Sequence, residues 1–147
     1  MITSVWTTPG QVNETALAIE QIVFPEVEIP DDFEPFSFQL ALINDGVPVA
    51  AGRFYLRAMG KAQLDRICVL PEYRRQGIGD GLIKILDFKA ALAGLQESYA
   101  DVPVEYEKLF ARIGFQPYGE RFARGGQVLQ TMRKECNDGT KGHCAHQ

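Results

Sequence analysis

The chain has 147 residues, 46% hydrophobic and 23% charged, with a net charge of −4. That balance excludes a disordered chain, no apolar run nears the roughly 20 residues of a membrane helix, and the acidic sign argues against nucleic acid as partner. Three cysteines make no disulfide framework, and "MITSVWTTPG" lacks the basic-then-apolar pattern of a signal peptide, so the expectation is one soluble cytoplasmic domain. The charge is unevenly placed. Residues 1–52 hold eight acids and no Lys or Arg, whereas the other 95 hold 15 basic and 11 acidic side chains, a split of −8 against +4. Such a split suits two ligands of opposite sign meeting inside one domain.

In chain order, Ile2–Thr7 reads as a strand. Thr8 as N-cap, Pro9 and Gln11 then predict a helix running to about Phe24, on the spacing of Val12, Ala16, Ile19 and Val23. Pro25, Pro30 and Pro35 impose a loop that carries Glu26, Glu28, Asp31, Asp32 and Glu34. Phe36–Asn44, Val47–Arg57 and Ala62–Leu70 predict an antiparallel meander, turned first at Asp45-Gly46. A helix follows over Gly79–Ala93, with Ile78, Leu82, Ile85, Leu86 and Leu92 on one face and Gly94 as its stop. Glu97–Asp101 reads as a short strand, and Asp101 and Pro103 open a further helix that ends at Gly114. Phe115–Phe122 and Gln127–Lys134 close the domain as a strand pair. Residues 1–134 thus form one α+β domain, a single mixed, mostly antiparallel sheet flanked by helices. Residues 135–147 read as a mobile tail. Its Cys136, His143, Cys144 and His146 have no fold to fix them, so no metal site is expected.

The segment with chemistry in it is "VLPEYRRQGIGDG", Val69–Gly81. Glycines opening a helix, beside two arginines, are suited to an anion held on backbone N–H groups. A Walker A loop would need Lys-Ser/Thr after its last glycine. A dinucleotide fingerprint would need its glycines directly after the strand, and here the "PEYRRQ" loop intervenes. The stretch "ICVLPEYRRQGIGDGLIKIL" resembles instead the acyl-CoA-binding motif of the GNAT superfamily of N-acetyltransferases. Arg74, Gly77 and Gly79 occupy its Arg/Gln-x-x-Gly-x-Gly/Ala signature, after Ile67, Val69, Pro71, Glu72 and Tyr73. "EKLFARIGF" is similar to the family's helix-Gly-Phe step, and the likeness spans residues 1–134.

The resemblance implies that acetyl-CoA is the cosubstrate. Arg74, Arg75, Gln76, Gly77, Ile78 and Gly79 would hold its pyrophosphate, and the backbone of Ile67, Cys68 and Val69 would pair with the pantetheine arm. The strand ending at Val69 and the strand near Glu97–Asp101 would splay apart to admit the thioester. On the family's base-bearing strand stands Asp65, which simple alternation places on the face of Ile67 and Val69; it is a candidate base or the partner of Arg53 or Arg66. The position two earlier, which is Glu in some members, is Gln63. The family's usual acid, a Tyr four residues before the Gly of the helix-Gly-Phe step, is replaced by Phe110. Tyr106, one turn earlier, is a candidate acid or a core residue beside Val102, Leu109 and Ile113. Tyr99 and Tyr118 are further hydroxyls. Cys68 adjoins the expected thioester as a buried thiol or a nucleophile. The acidic loop, with Glu26, Glu28, Asp31 and Asp32, falls where the family builds its acceptor site, and implies a cationic amine. The expectation is an N-acetyltransferase acting on a small-molecule or peptide amine by direct attack, with a non-catalytic acyl-CoA-binding module as the alternative and a homodimer as a further possibility.

Overall fold

The structure is a computed structural model that describes residues 1–136. In chain order it contains β1 (Ile2–Thr7), α1 (Glu14–Val23), β2 (Phe38–Asn44), β3 (Val47–Ala58), β4 (Lys61–Val69), α2 (Ile78–Leu92), β5 (Glu97–Pro103), α3 (Glu107–Ile113), β6 (Gln116–Pro117), β7 (Phe122–Arg124) and β8 (Gln127–Glu135). One sheet runs β1-β2-β3-β4-β5-β8-β6, with β7 also on β8. Every pairing is antiparallel except β4 with β5. This is the mixed, mostly antiparallel α+β sheet that the strand patterns predict.

Alternation along the strands divides the core into two layers. Ala16 and Ile19 of α1 pack on Ala41, Ala51 and Cys68. On the other face Leu82, Ile83 and Leu86 of α2 and Phe110 of α3 pack on Ala50, Phe54, Leu64 and Ala100. The approach of α2 is close: a Cβ at Gly52 would stand 2.8 Å from Leu86 Cδ1, so only glycine fits there without repacking.

Three elements depart from the sequence reading. Helix α1 starts at Glu14 rather than Pro9. The Thr8 and Gln11 pair does form, with Gln11 Oε1 accepting from the Thr8 N–H at 2.9 Å, but it closes a turn rather than a helix. Asn13 is the true N-cap: its Oδ1 accepts from Ala16 N–H at 3.0 Å, while its Nδ2 donates to the Val5 carbonyl at 3.1 Å. The cap thus also ties the helix to the sheet. Asp101 does not open a helix; β5 continues through it to Pro103, because the antiparallel ladder with β8 holds Asp101 opposite Thr131. The expected Phe115–Phe122 strand is broken into β6 and β7, with Gly119 at φ +75° between them. At the C-terminal boundary, Glu135 belongs to β8 and Cys136 is buried near Ser98 Oγ at 3.3 Å. His143, Cys144 and His146 lie outside the described residues.

Candidate active site

The glycine–arginine turn folds as a loop entering a helix start. A 3-10 turn over Pro71–Tyr73 follows β4, and Gly77 then caps α2 at φ +80°. Arg75, two residues earlier, is also left-handed at φ +65°. Left-handed residues alternating with ordinary ones turn successive N–H groups toward one point. The first intrahelical bond runs from Gly81 N–H to the Gly77 carbonyl, so the N–H groups of Ile78, Gly79 and Asp80 precede it and face out of the helix start. A Cβ at Gly77 would meet nothing within 4 Å, so it would project into the open space in front of those donors. That is a seat shaped for an anion. Arg74 Nε donates to the Val69 carbonyl at 2.9 Å, which fixes the loop to the end of β4. Arg75 and Gln76 are exposed beside the seat.

Upstream of the turn lies a slot in the sheet. Strands β4 and β5 pair at only four positions, Lys61↔Glu97 to Leu64↔Ala100, although β4 runs on to Val69 and β5 to Pro103. Beyond Leu64 the two strands part, leaving the Ile67–Val69 backbone without a strand on that side.

A bulge in β4 sets the chemistry of the two faces. Arg66 sits at φ +52°, and the β3–β4 register slips by one, with Ala51 opposite Cys68 but Arg53 opposite Asp65. The extra residue leaves Asp65 and Arg66 on the same face, toward α1. Cys68 packs in the α1 layer, while Ile67 and Val69 pack in the α2 layer. Asp65 therefore lies on the face opposite to Ile67 and Val69. The alternation that put all three together is overturned by the bulge.

On the α1 face the acidic loop folds down onto two arginines. Arg53, 1% exposed, gives Nε to Asp65 Oδ1 at 2.6 Å and Nη2 to Asp65 Oδ2 at 3.0 Å. Its Nη1 and Nη2 also form a fork on Asp31, both at 2.8 Å, and Nη1 reaches Glu34 Oε1 at 2.9 Å. Arg66 bonds Glu20 at 2.8 Å, Asp31 at 2.9 Å and Glu34 at 3.3 Å. The hydrogen bonds from Arg53 hold Asp31 down at about 2. Burial pushes Glu20 up to about 7 despite Arg66, and its Oε2 has no hydrogen-bond partner among the described residues. Burial, and then the Glu20 charge, raise the Cys68 thiol to about 12, which makes it a poor source of thiolate. Of the expected acceptor residues, Asp31 is thus engaged by arginine, whereas Glu26, Glu28 and Asp32 are exposed.

The tyrosines are each engaged or exposed in their own surroundings. Tyr106 is 51% exposed in a 3-10 turn before α3, so it is not the core residue that its stripe suggested. Tyr99 is buried under Arg57, whose Cζ is 4.3 Å from the ring centroid, and its hydroxyl donates to Glu97 at 3.3 Å. Tyr118 packs edge-on against it. Phe110 is buried edge-on against Phe115. The sequence offered Arg53 only as a partner of Asp65, not as a hub that also takes Asp31 and Glu34, and it read Asp101 as a strand end and helix opener rather than as a carboxylate beside the slot. Among the described residues no cluster of His, Cys, Asp or Glu could hold a metal ion.

These features have relatives. Residues 31–136 match the acetyltransferase (GNAT) domain family. The uncharacterized N-acetyltransferase YjcF of Bacillus subtilis is 30% identical over 110 residues, covering 75% of this chain and 77% of that protein. Among solved structures, an acyl-CoA N-acyltransferase from Pseudomonas aeruginosa superposes with a TM-score of 0.81 at 18% identity, over 91% of this chain and 99% of that one. A GNAT family acetyltransferase from Elizabethkingia anophelis, solved with acetyl-CoA bound, gives 0.73 at 16% identity, over 91% and 97% of the two chains. No helix of the described residues is long and apolar enough to cross a membrane. A glycine-capped helix start beside a slot between two parallel strands is the arrangement of an acyl-CoA enzyme, and with the family match the chain belongs to the GNAT family of acyl-CoA-dependent acetyltransferases.

Proposed function

We propose that the protein transfers the acetyl group of acetyl-CoA to a primary amine by direct attack on the thioester. The observation carrying this reading is the anion seat at Gly77–Asp80 following directly on Ile67–Val69, the stretch of β4 that has no β5 partner along the slot. The pyrophosphate sits on the seat, with Arg74, Arg75 and Gln76 around it, and the pantetheine arm lies against Ile67, Cys68 and Val69 as an added strand. The acceptor enters from the α1 face, where the Asp65 carboxylate, held by Arg53, stands at the mouth of the slot. Exposed Glu26, Glu28 and Asp32 add a negative field that favours cationic acceptors. The thiolate leaves without a tyrosine at Phe110, since a thiol of pKa near 8.5 is a fair leaving group unaided. Cys68 takes no covalent part.

The test is calorimetric titration with acetyl-CoA beside a Gly77→Glu variant, with release of free thiol followed over a panel of primary amines. Binding is expected for the parent protein and at least a hundredfold weaker binding for the variant, whose carboxylate enters the seat at a strained φ. Absence of binding by the parent overturns the cosubstrate assignment. Binding with no thiol release for any amine would instead mark a non-catalytic acyl-CoA-binding module.

A further inference from the structure

Two carboxylates flank the mouth of the slot, and they are held differently. Leu64↔Ala100 is the last pair joining β4 and β5, so Asp65 and Asp101 are the first residues beyond it on their strands. Both face the α1 side: Asp101 follows Tyr99, the neighbour of Gln63, by two residues, and Asp65 follows Gln63 by two. Asp65 has each of its oxygens bonded by Arg53, at 2.6 and 3.0 Å. Asp101 has no such clamp. Its Oδ1 turns toward β8 and accepts from Thr131 Oγ1 at 2.7 Å. Its Oδ2 lies between Gln63 Nε2 of β4 and the exposed Arg124 Nη2 of β7, each at 3.5 Å, the long limit of a hydrogen bond. One carboxylate oxygen thus has only two donors among the described residues, both at the long limit, while its sister takes a short bond from the Thr131 hydroxyl.

We propose that Asp101 is the residue that binds the acceptor ammonium and takes its proton, with Asp65 serving as a fixed counter-charge. This rests on the acetyl-transfer reading above. The ammonium gives one proton to Asp101 Oδ2, and the freed nitrogen lone pair forms the C–N bond at the thioester carbonyl. The C–S bond then breaks with its electron pair on sulfur. The second nitrogen proton ends on that thiolate to give the coenzyme A thiol, and Asp101 returns its proton to solvent. Thr131 and Gln63 hold the carboxylate in place throughout.

The experiment compares the full chain with Asp101→Asn, Asp101→Glu and Asp65→Asn, using acetyl-CoA and a panel of primary amines with thiol release as the readout. Calorimetry with acetyl-CoA and thermal unfolding run in parallel. Asp101→Asn is expected to lower kcat/KM by about 10²–10³-fold while acetyl-CoA affinity and Tm stay near the parent's, the range for losing a general base. Asp101→Glu keeps the carboxylate and is expected to recover about tenfold or more of that loss. Asp65→Asn is expected to lose less than Asp101→Asn. If Asp101→Asn keeps its activity within threefold, or if Asp65→Asn shows the larger loss, the proposal falls and the acetyl-transfer reading stands. If the parent binds acetyl-CoA yet releases no thiol with any amine, that reading falls and takes this one with it. Should Asp101→Asn fail to fold, Asp101→Glu with activity below that of Asp65→Asn, and no recovery at any amine concentration, also overturns it.

Discussion

Arg53 gathers Asp31 and Glu34 of the acidic loop and Asp65 of β4 onto one buried guanidinium. Removing it leaves Asp65 without its guanidinium and Asp31 and Glu34 with that of Arg66 alone, around a buried hole. Arg53→Met is expected to cost about 3–5 kcal/mol in chemical denaturation, the usual penalty for breaking a buried ion pair from one side. Arg53→Lys keeps a charge but loses both forks, and about 1–3 kcal/mol with them, because a single ammonium cannot serve two planar carboxylates at once. An unchanged denaturation midpoint for Arg53→Met would mean that the network holds nothing together. At this scale the glycine-capped turn was readable and the full set of partners around Arg53 was not. Arg74, Gly77 and Gly79 lie within six residues, and their spacing is itself the geometry. The partners of Arg53 stand 12, 19 and 22 residues away, and no local pattern joins them. The orientation of Asp65 depends on a bulge at Arg66, a position where no glycine signals a left-handed backbone.

Among the elements, α1 shows how a local rule can be satisfied and still lose. Thr8, Pro9 and Gln11 form their expected turn, yet the helix waits for Asn13, whose side chain bonds both the helix and the neighbouring strand. Asn13→Ala is expected to cost about 1–2 kcal/mol by denaturant titration, the upper part of the range for lost N-caps, since buried carbonyl partners are also abandoned. Asn13→Asp should recover the cap alone, and a loss below about 0.5 kcal/mol for Asn13→Ala would show that the cap does not anchor the sheet. The meander and α2 were legible because their hairpin turn, alternation and apolar spacing are local, although Leu92 of the expected stripe is exposed and Ile83 takes a core place instead. The end of β5 was not, because a ladder with β8, nearly 30 residues later, holds Asp101 in a strand where its neighbours suggested a cap.

For the whole molecule, the charge split finds much of its meaning inside the fold. Asp31, Glu34 and Glu20 of the acidic half close on Arg53 and Arg66, the first of which is also the first basic residue in the sequence. Stability should accordingly follow pH in two opposing ways. Glu20 binds its proton up to about pH 7 in the fold but only to about 4.5 when unfolded, so the native state holds more protons between those values. Stability then falls as pH rises through that window, by on the order of 3 kcal/mol at most, and is flat above it. Asp31 is lowered from 3.8 to about 2, so its contribution is present above 3.8 and lost as pH falls through 2. Tm is expected to peak near pH 4–5, with Glu20→Gln flattening the decline toward neutrality. A Tm that climbs from pH 5 to 7 in the parent would contradict the buried acid.

The four-pair seam between β4 and β5 makes the domain two antiparallel half-sheets stitched along a short edge. Past the seam the sheet is one strand short. On the proposed function, a thioester arm laid along Ile67–Val69 would be building material as well as reagent, completing the architecture on arrival and dismantling it on departure. Each turnover would then open and close a wall of the protein, and donors too short to reach from the helix start to the seam would leave that wall unbuilt.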